Sequence, residues 1–177
     1  MIKFTEMKLP GAYVIEPQIF KDSRGFFGRS WCREEFGKLG LNTNLCQVNL
    51  AYNIEKSTLR GMHYQEAPHA ETKLVRCTWG EIYDVIVDLR PGSPTLAQHI
   101  GVTLSADNHL MLYVPEGFAH GYQTLTDGAE ITYLTTAFYA PDAARGVRYD
   151  DPAFGIKWPL PVSQISESDR KWTPYRI

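Results

Sequence analysis

Short apolar stretches of alternating character follow one another along nearly the whole chain, each closed by Gly, Pro, Asn or Asp, and this rhythm limits the fold more than any other feature. "GAYVIEPQIF" alternates and stops at the turn "KDSRG". "LVRCTWGEIYDVIVDLR" reads as two strands broken near Trp79–Gly80, a hairpin pattern, and "RPGSPT" is the next turn. Within it, "DVIVDL" sets Asp84, Ile86 and Asp88 against Val85, Val87 and Leu89, so one face is partly polar. "AQHIGVTLS", "HLMLYVP", "EGFAHGYQTLT" and "AEITYLTTAFYAP" continue the series. Only "SWCREEFGKLGL" reads as a helix, with Ser30 as its expected cap and Glu34 and Glu35 in its first turn; "SESDRKW" suits a second helical turn. No linker or repeat divides the chain. The expectation is an all-β jelly-roll barrel with a few short helices, forming a single domain over residues 1–177.

Composition removes several function classes. A chain of 177 residues that is 44% hydrophobic and 21% charged has the makings of a real core. Its formal net charge of −2 and lack of a basic run give no surface for nucleic acid. No apolar stretch approaches membrane-spanning length, and "MIKFTEMKLPGAYVIEP" lacks the apolar centre of a signal peptide. The three cysteines, Cys32, Cys46 and Cys77, are odd in number and unrelated in spacing. They read as small buried or half-buried hydrophobes in a reducing compartment, hence a cytoplasmic location. A compact anionic substrate held by a few Arg and Lys fits these bounds.

A ligand inside such a barrel meets alternate strand residues. In "TLRGMHYQ" regular alternation would send Arg60 and His63 to opposite faces, whereas a bulge at Gly61 would bring both to the cavity. A metal site would need three or four convergent donors. Tyr64 and Gln65 follow His63, so no His-x-His pair exists, and Lys73 stands where a ligand carboxylate would be sought. No metal is expected. His63 suits proton transfer instead, with an orienting carboxylate to be found among Asp84, Asp88, Asp150, Asp151 and Asp169. Plainer readings stand beside this one. Tyr133 and Tyr139 are ordinary in strands, Lys73 suits a solvated edge, Asp169 suits a helix cap, and Gly117 and Gly121 suit a tight turn around His120.

The stretches "DSRGFF", "LRGMHYQ", "KLVRCTWGEIYDVIVDLRPGSPT", "YVPEGFAHGYQTL", "YLTTAFYAP" and "DDPAFGIKWP" together resemble the dTDP-4-dehydrorhamnose 3,5-epimerase family, in the family's order and over most of the chain. The resemblance implies a cupin-like jelly roll without metal or other cofactor, a nucleotide-diphosphate sugar as substrate, and a homodimer that exchanges its N-terminal segment. It also implies the chemistry. A C4 ketone acidifies C3–H and C5–H, a base removes a proton to give an enolate, and an acid returns one to the opposite face. On this likeness His63 is the base, Asp169 orients it, Tyr133 is the opposing acid and Lys73 lies near the enolate oxygen. Arg24, Gln47, Asn49, Arg60 and His120 match substrate-binding positions, and Tyr139 matches an aromatic that stacks on the nucleotide base.

Two departures bear on the substrate. The family's "DxRGxFxE" pattern ends here in Arg29 instead of Glu, and Ala144 follows "YAP" where an acid is expected. One extra residue also separates "QVN" from "LRG". Arg29 is therefore a candidate contact to the nucleotide or sugar. The best match is dTDP-4-dehydro-6-deoxy-D-glucose; single-carbon epimerisation of a CDP- or GDP-linked 4-keto sugar, a 3,4-ketoisomerase, a metal-dependent cupin enzyme and an inactive sugar-binding jelly roll are the rivals.

Overall fold

The computed structural model describes residues 1–176, and most of its regular elements are strands. In chain order these are β1 Ile2–Glu6, β2 Tyr13–Pro17, β3 Ile19–Asp22, β4 Gly25–Gly28, helix α1 Arg33–Gly37, β5 Gln47–Asn53, β6 Leu59–Gln65, β7 Lys73–Trp79, β8 Glu81–Asp88, β9 His99–Ser105, β10 Met111–Val114, β11 Phe118–Thr124, β12 Ala129–Thr135, β13 Ala144–Gly146 and helix α2 Glu167–Arg170. A six-stranded sheet runs β1-β2-β10-β7-β12-β5, a five-stranded sheet runs β13-β6-β11-β8-β9, and β3-β4 form a separate hairpin. This is the jelly-roll arrangement expected from the strand rhythm.

Alternation sorts each strand's side chains between layers. Val75 and Cys77 of β7, Ile82 and Ile86 of β8, Leu112 and Val114 of β10, and Ile131 of β12 meet between the sheets. Their neighbours in sequence face outward and are buried too. Leu74, Met111 and Tyr113 pack under Ile2, Ile15 and Phe36, while Val85, Val87 and Ala119 pack under Val147 and Phe154. The second group explains why β8 is buried on both faces despite its two aspartates.

Three expectations need correction. β7 and β8 do not form a hairpin. They lie in different sheets, because Gly80, at φ +72, carries the chain across from one sheet to the other between Thr126 and Ala129. "GAYVIEPQIF" is two strands, divided at Gln18, and its second half turns back through Ser23–Arg24. Ser30 does not cap α1; Cys32 holds that position in extended conformation, without a side-chain cap. The second helical turn is present, but Ser166 caps it rather than Asp169: Ser166 Oγ accepts from the Asp169 amide, which leaves the Asp169 carboxylate for other partners.

The irregularity in β6 is present. His63 pairs with His120 and Arg60 with Tyr122, so Gly61 and Met62 together oppose Gly121. Gly61 has φ +137. A Cβ on Gly121 would sit 2.7 Å from the Arg60 carbonyl and 2.7 Å from Met62 Sδ. Gly121→Ala should therefore destabilise the fold by about 1–3 kcal/mol in urea unfolding, the usual range for overpacking. Gly37→Ala is the control, because its Cβ meets nothing within 4 Å.

Candidate active site

The strand registers assemble a polar wall. Gln47, Thr135 and Lys73 form one row across β5, β12 and β7, and Asn49, Tyr133 and Val75 form the next. The row after that, Ala51, Ile131 and Cys77, is apolar and continues into the core. Facing this wall, β6 and β11 present Arg60, His63, His120 and Tyr122. The space between is a cavity of about 780 Å³. The β6 bulge is what gives Arg60 and His63 the same side, while Met62 between them is fully buried in the outer layer.

His63 Nε2 lies 2.6 Å from Asp169 Oδ1, and the other carboxylate oxygen accepts the Gly61 amide at 3.3 Å. Burial alone would push the Asp169 carboxyl up, but the His63 hydrogen bond and charge, with the Gly61 and Ser166 contacts, hold it below the usual carboxylate range. An ionised Asp169 accepts from Nε2–H, which leaves Nδ1 of His63 with its lone pair. The other candidate carboxylates are engaged elsewhere: Asp88 with Arg90, Ser93 and Thr95, Asp150 with Arg148, and Asp151 with the backbone of Ala153 and Tyr175. Asp84 forms a second pair, its Oδ1 lying 2.7 Å from His120 Nε2, and both residues are buried.

Tyr133 stands on the wall opposite His63. Burial raises its phenol pKa, the negative charge of Glu71 raises it further, and Arg60 works against both. The side chain therefore carries its proton at neutral pH. Lys73 is not a solvated edge residue; it is 7% exposed, pairs with Glu71 at 3.0 Å and donates to the His63 carbonyl at 3.3 Å. Arg60 is fixed by Asn53 Oδ1 at 2.7 Å. Gln47 accepts the Tyr139 amide at 2.8 Å, which holds that exposed ring at the mouth.

Arg24 and Arg29 do not reach this cavity. Arg24, on the β3–β4 turn, pairs with Asp22, and Arg29 lies 3.4 Å from Glu35, which also accepts the Ile2 amide. Ala144 does line the cavity, beside Arg145. Sequence reasoning passed over Glu71, Gln65 and Asn53, whose only signal was adjacency to Lys73, His63 and the "QVN" strand. Cys46 is exposed, unlike the buried or half-buried site expected of it; Cys77 is buried, and its thiol is pushed up to about 11. Among the described residues no group of three or more His, Cys, Asp or Glu side chains converges as metal ligands would, and no helix is long and apolar enough to cross a membrane.

A jelly roll whose polar end joins a His–Asp pair to a facing tyrosine and a buried lysine holds the groups that acid–base chemistry on an enclosed ligand calls for. The family model for dTDP-4-dehydrorhamnose 3,5-epimerase matches residues 6–176, and the chain belongs to this family. The Salmonella typhimurium dTDP-4-dehydrorhamnose 3,5-epimerase is 43% identical over 164 residues, covering 92% of this chain and 88% of that protein. The Bacillus anthracis dTDP-4-dehydrorhamnose 3,5-epimerase, crystallised with TDP and PPi bound, superimposes with a TM-score of 0.96 at 40% identity, over 99% of this chain and 100% of that one. The Legionella pneumophila dTDP-6-deoxy-D-glucose-3,5-epimerase in complex with dTDP-4-keto-L-rhamnose gives 0.92 at 36% identity, over 98% and 93% of the two chains. The protein is thus an isomerase, an epimerase acting on carbohydrate.

The lowered Asp169 carboxyl has a consequence for stability. Its contribution is fully present above the ordinary carboxylate range and is lost as the pH falls through the depressed value. Urea unfolding should show stability falling on acidification, with Asp169→Asn flattening part of that fall and costing about 1–3 kcal/mol at neutral pH.

Proposed function

We propose that this enzyme inverts C3 and C5 of dTDP-4-dehydro-6-deoxy-D-glucose, giving dTDP-4-dehydro-L-rhamnose. The observation that carries the reading is the opposition of His63 and Tyr133 from different sheets across one cavity, beside a buried Lys73. His63 takes the proton from a carbon next to the C4 ketone, and Asp169 stabilises the imidazolium that forms. The electron pair moves onto the C4 oxygen, where the Lys73 ammonium meets the developing charge. Tyr133 delivers a proton to the opposite face, which inverts the centre. The carbonyl stays at C4, no electron leaves the substrate, and the chemistry calls for no redox cofactor or metal. Arg60, His120, Gln47 and Asn49 hold the diphosphate and sugar, and Tyr139 stacks on the nucleotide base.

The working unit in this reading is a homodimer that exchanges the N-terminal segment. The outer face of edge strand β5 leaves Val48, Leu50 and Tyr52 exposed, and the β3–β4 hairpin exposes Phe20, Phe26 and Phe27. Arg24 and Arg29, remote from their own cavity, then serve the neighbour's. Three free thiols support a cytoplasmic setting.

Incubation in D2O with dTDP-4-keto-6-deoxy-D-glucose should place deuterium at C3 and C5, and His63→Ala should slow exchange by about 10²–10⁴, the usual worth of a general base. Deuterium at one carbon would make the enzyme a single-site epimerase; no exchange with dTDP-, CDP- or GDP-linked 4-keto sugars would overturn the reading. For the assembly, Leu50→Glu should convert a dimer to monomer in analytical ultracentrifugation, and a monomeric unmodified protein would refute the exchange.

A further inference from the structure

Glu71 has no part in the proton-transfer scheme, yet its carboxylate lies in the cavity wall with little exposure to water. Charge in such a place is costly unless every oxygen is engaged. One oxygen of Glu71 is 3.0 Å from the Lys73 ammonium. The other accepts from Gln65 Nε2 at 3.2 Å. The two N–H groups of Gln65 are shared among Glu71, the His69 carbonyl at 2.9 Å and the Phe138 carbonyl at 3.3 Å, and its Oε1 accepts the Ala140 amide at 2.7 Å, next to Tyr139. A single carboxylate therefore connects the buried cation in the cavity wall, through Gln65, to the loop that bears the aromatic at its mouth.

We propose that Glu71 is a positioning residue of this epimerase, coupling Lys73 to the Tyr139 loop through its two carboxylate oxygens. The inference rests on the proton-transfer reading above. Its effect reaches the acid as well. After burial, the charge of Glu71 is the strongest influence holding the Tyr133 phenol protonated, with Arg60 of β6 opposing. The remaining titratable groups facing the cavity are His63 and Tyr64 on β6, His120 and Tyr122 on β11, Lys73 on β7, Arg145 on β13, Asp169 on α2 and Tyr139 on the loop after β12. Glutamine at 71 would keep the volume and the contact to Gln65 but lose the ion pair and that charge.

The test compares unmodified enzyme with Glu71→Gln and Glu71→Asp, using kcat, KM and the pH profile of C3 and C5 exchange in D2O. Glu71→Gln should lower kcat on the order of tenfold, less than the ~10²–10³ that loss of a direct electrostatic donor costs. Its alkaline limb should move to lower pH, because the phenol loses a proton more readily. Glu71→Asp, keeping the charge on a shorter arm, should lower kcat with the limb close to that of the unmodified enzyme. An unchanged kcat and limb in Glu71→Gln would overturn the inference, as would a loss of rate matched by a loss of folded protein in circular dichroism with the limb unmoved. Absence of exchange in the unmodified enzyme would instead sink the proton-transfer reading itself.

Discussion

Two residues of β6 stand opposite one residue of β11, and the chemistry of the cavity depends on that mismatch. A strand in regular register delivers alternate side chains inward, so residues three apart cannot share a face. The extra residue at Gly61–Met62 resets the alternation, sends Met62 to the outer layer, and leaves Arg60 and His63 side by side. Gly121 makes the close approach sterically feasible, since any Cβ there would meet the bulged backbone. The same amide that the bulge frees from the ladder, Gly61 N–H, donates to Asp169 and so helps aim the carboxylate at His63.

The second constraint is electrostatic. The polar end of the sandwich buries Asp84, His120, Lys73 and Asp169, and its charged groups have partners: Asp169 with the more exposed His63, Asp84 with His120, Lys73 with Glu71, and the exposed Arg60 with Asn53 and the Tyr52 carbonyl. Asp84 Oδ2 is an exception, buried without a hydrogen-bond partner. Pairing lowers the cost of burial and also fixes each group's direction, which is what stepwise proton transfer between two faces of a sugar requires. The apolar row of Ala51, Ile131 and Cys77 leads from the polar rows into the core, so the site and the packing that supports it are built on the same three strands.

Much of this was legible in the residues. Alternation and turn chemistry located most strands, and the second helical turn, though not its Ser166 cap, was visible in "SESDRKW". What failed was pairing. "VRCTWGEIYDV" has the look of a hairpin, but whether a chain doubles back in its own sheet or crosses to the opposite one is decided by long-range packing, not by the local turn. The site residues came from linked motifs, whereas their supports did not. Glu71 and Gln65 carry no pattern of their own; Gln65 takes its meaning from contacts with Phe138 and Ala140, more than seventy positions along the chain, and Glu71 from its contacts with Gln65 and Lys73. The choice of Asp169 among five aspartates was likewise a matter of which loop the chain brings back to β6.

That return has a consequence of its own. Residues 151–175 clamp the outside of the five-stranded sheet, with Phe154, Trp158 and Tyr175 lying over Val85 and Val87, and the same segment carries Asp169 to His63. The strap lies outside the sandwich's inner core, so it can detach at a smaller free-energy cost than global unfolding. Catalytic competence should then fade while the β-sandwich is still intact: on heating, the enzyme would fall silent before it melts.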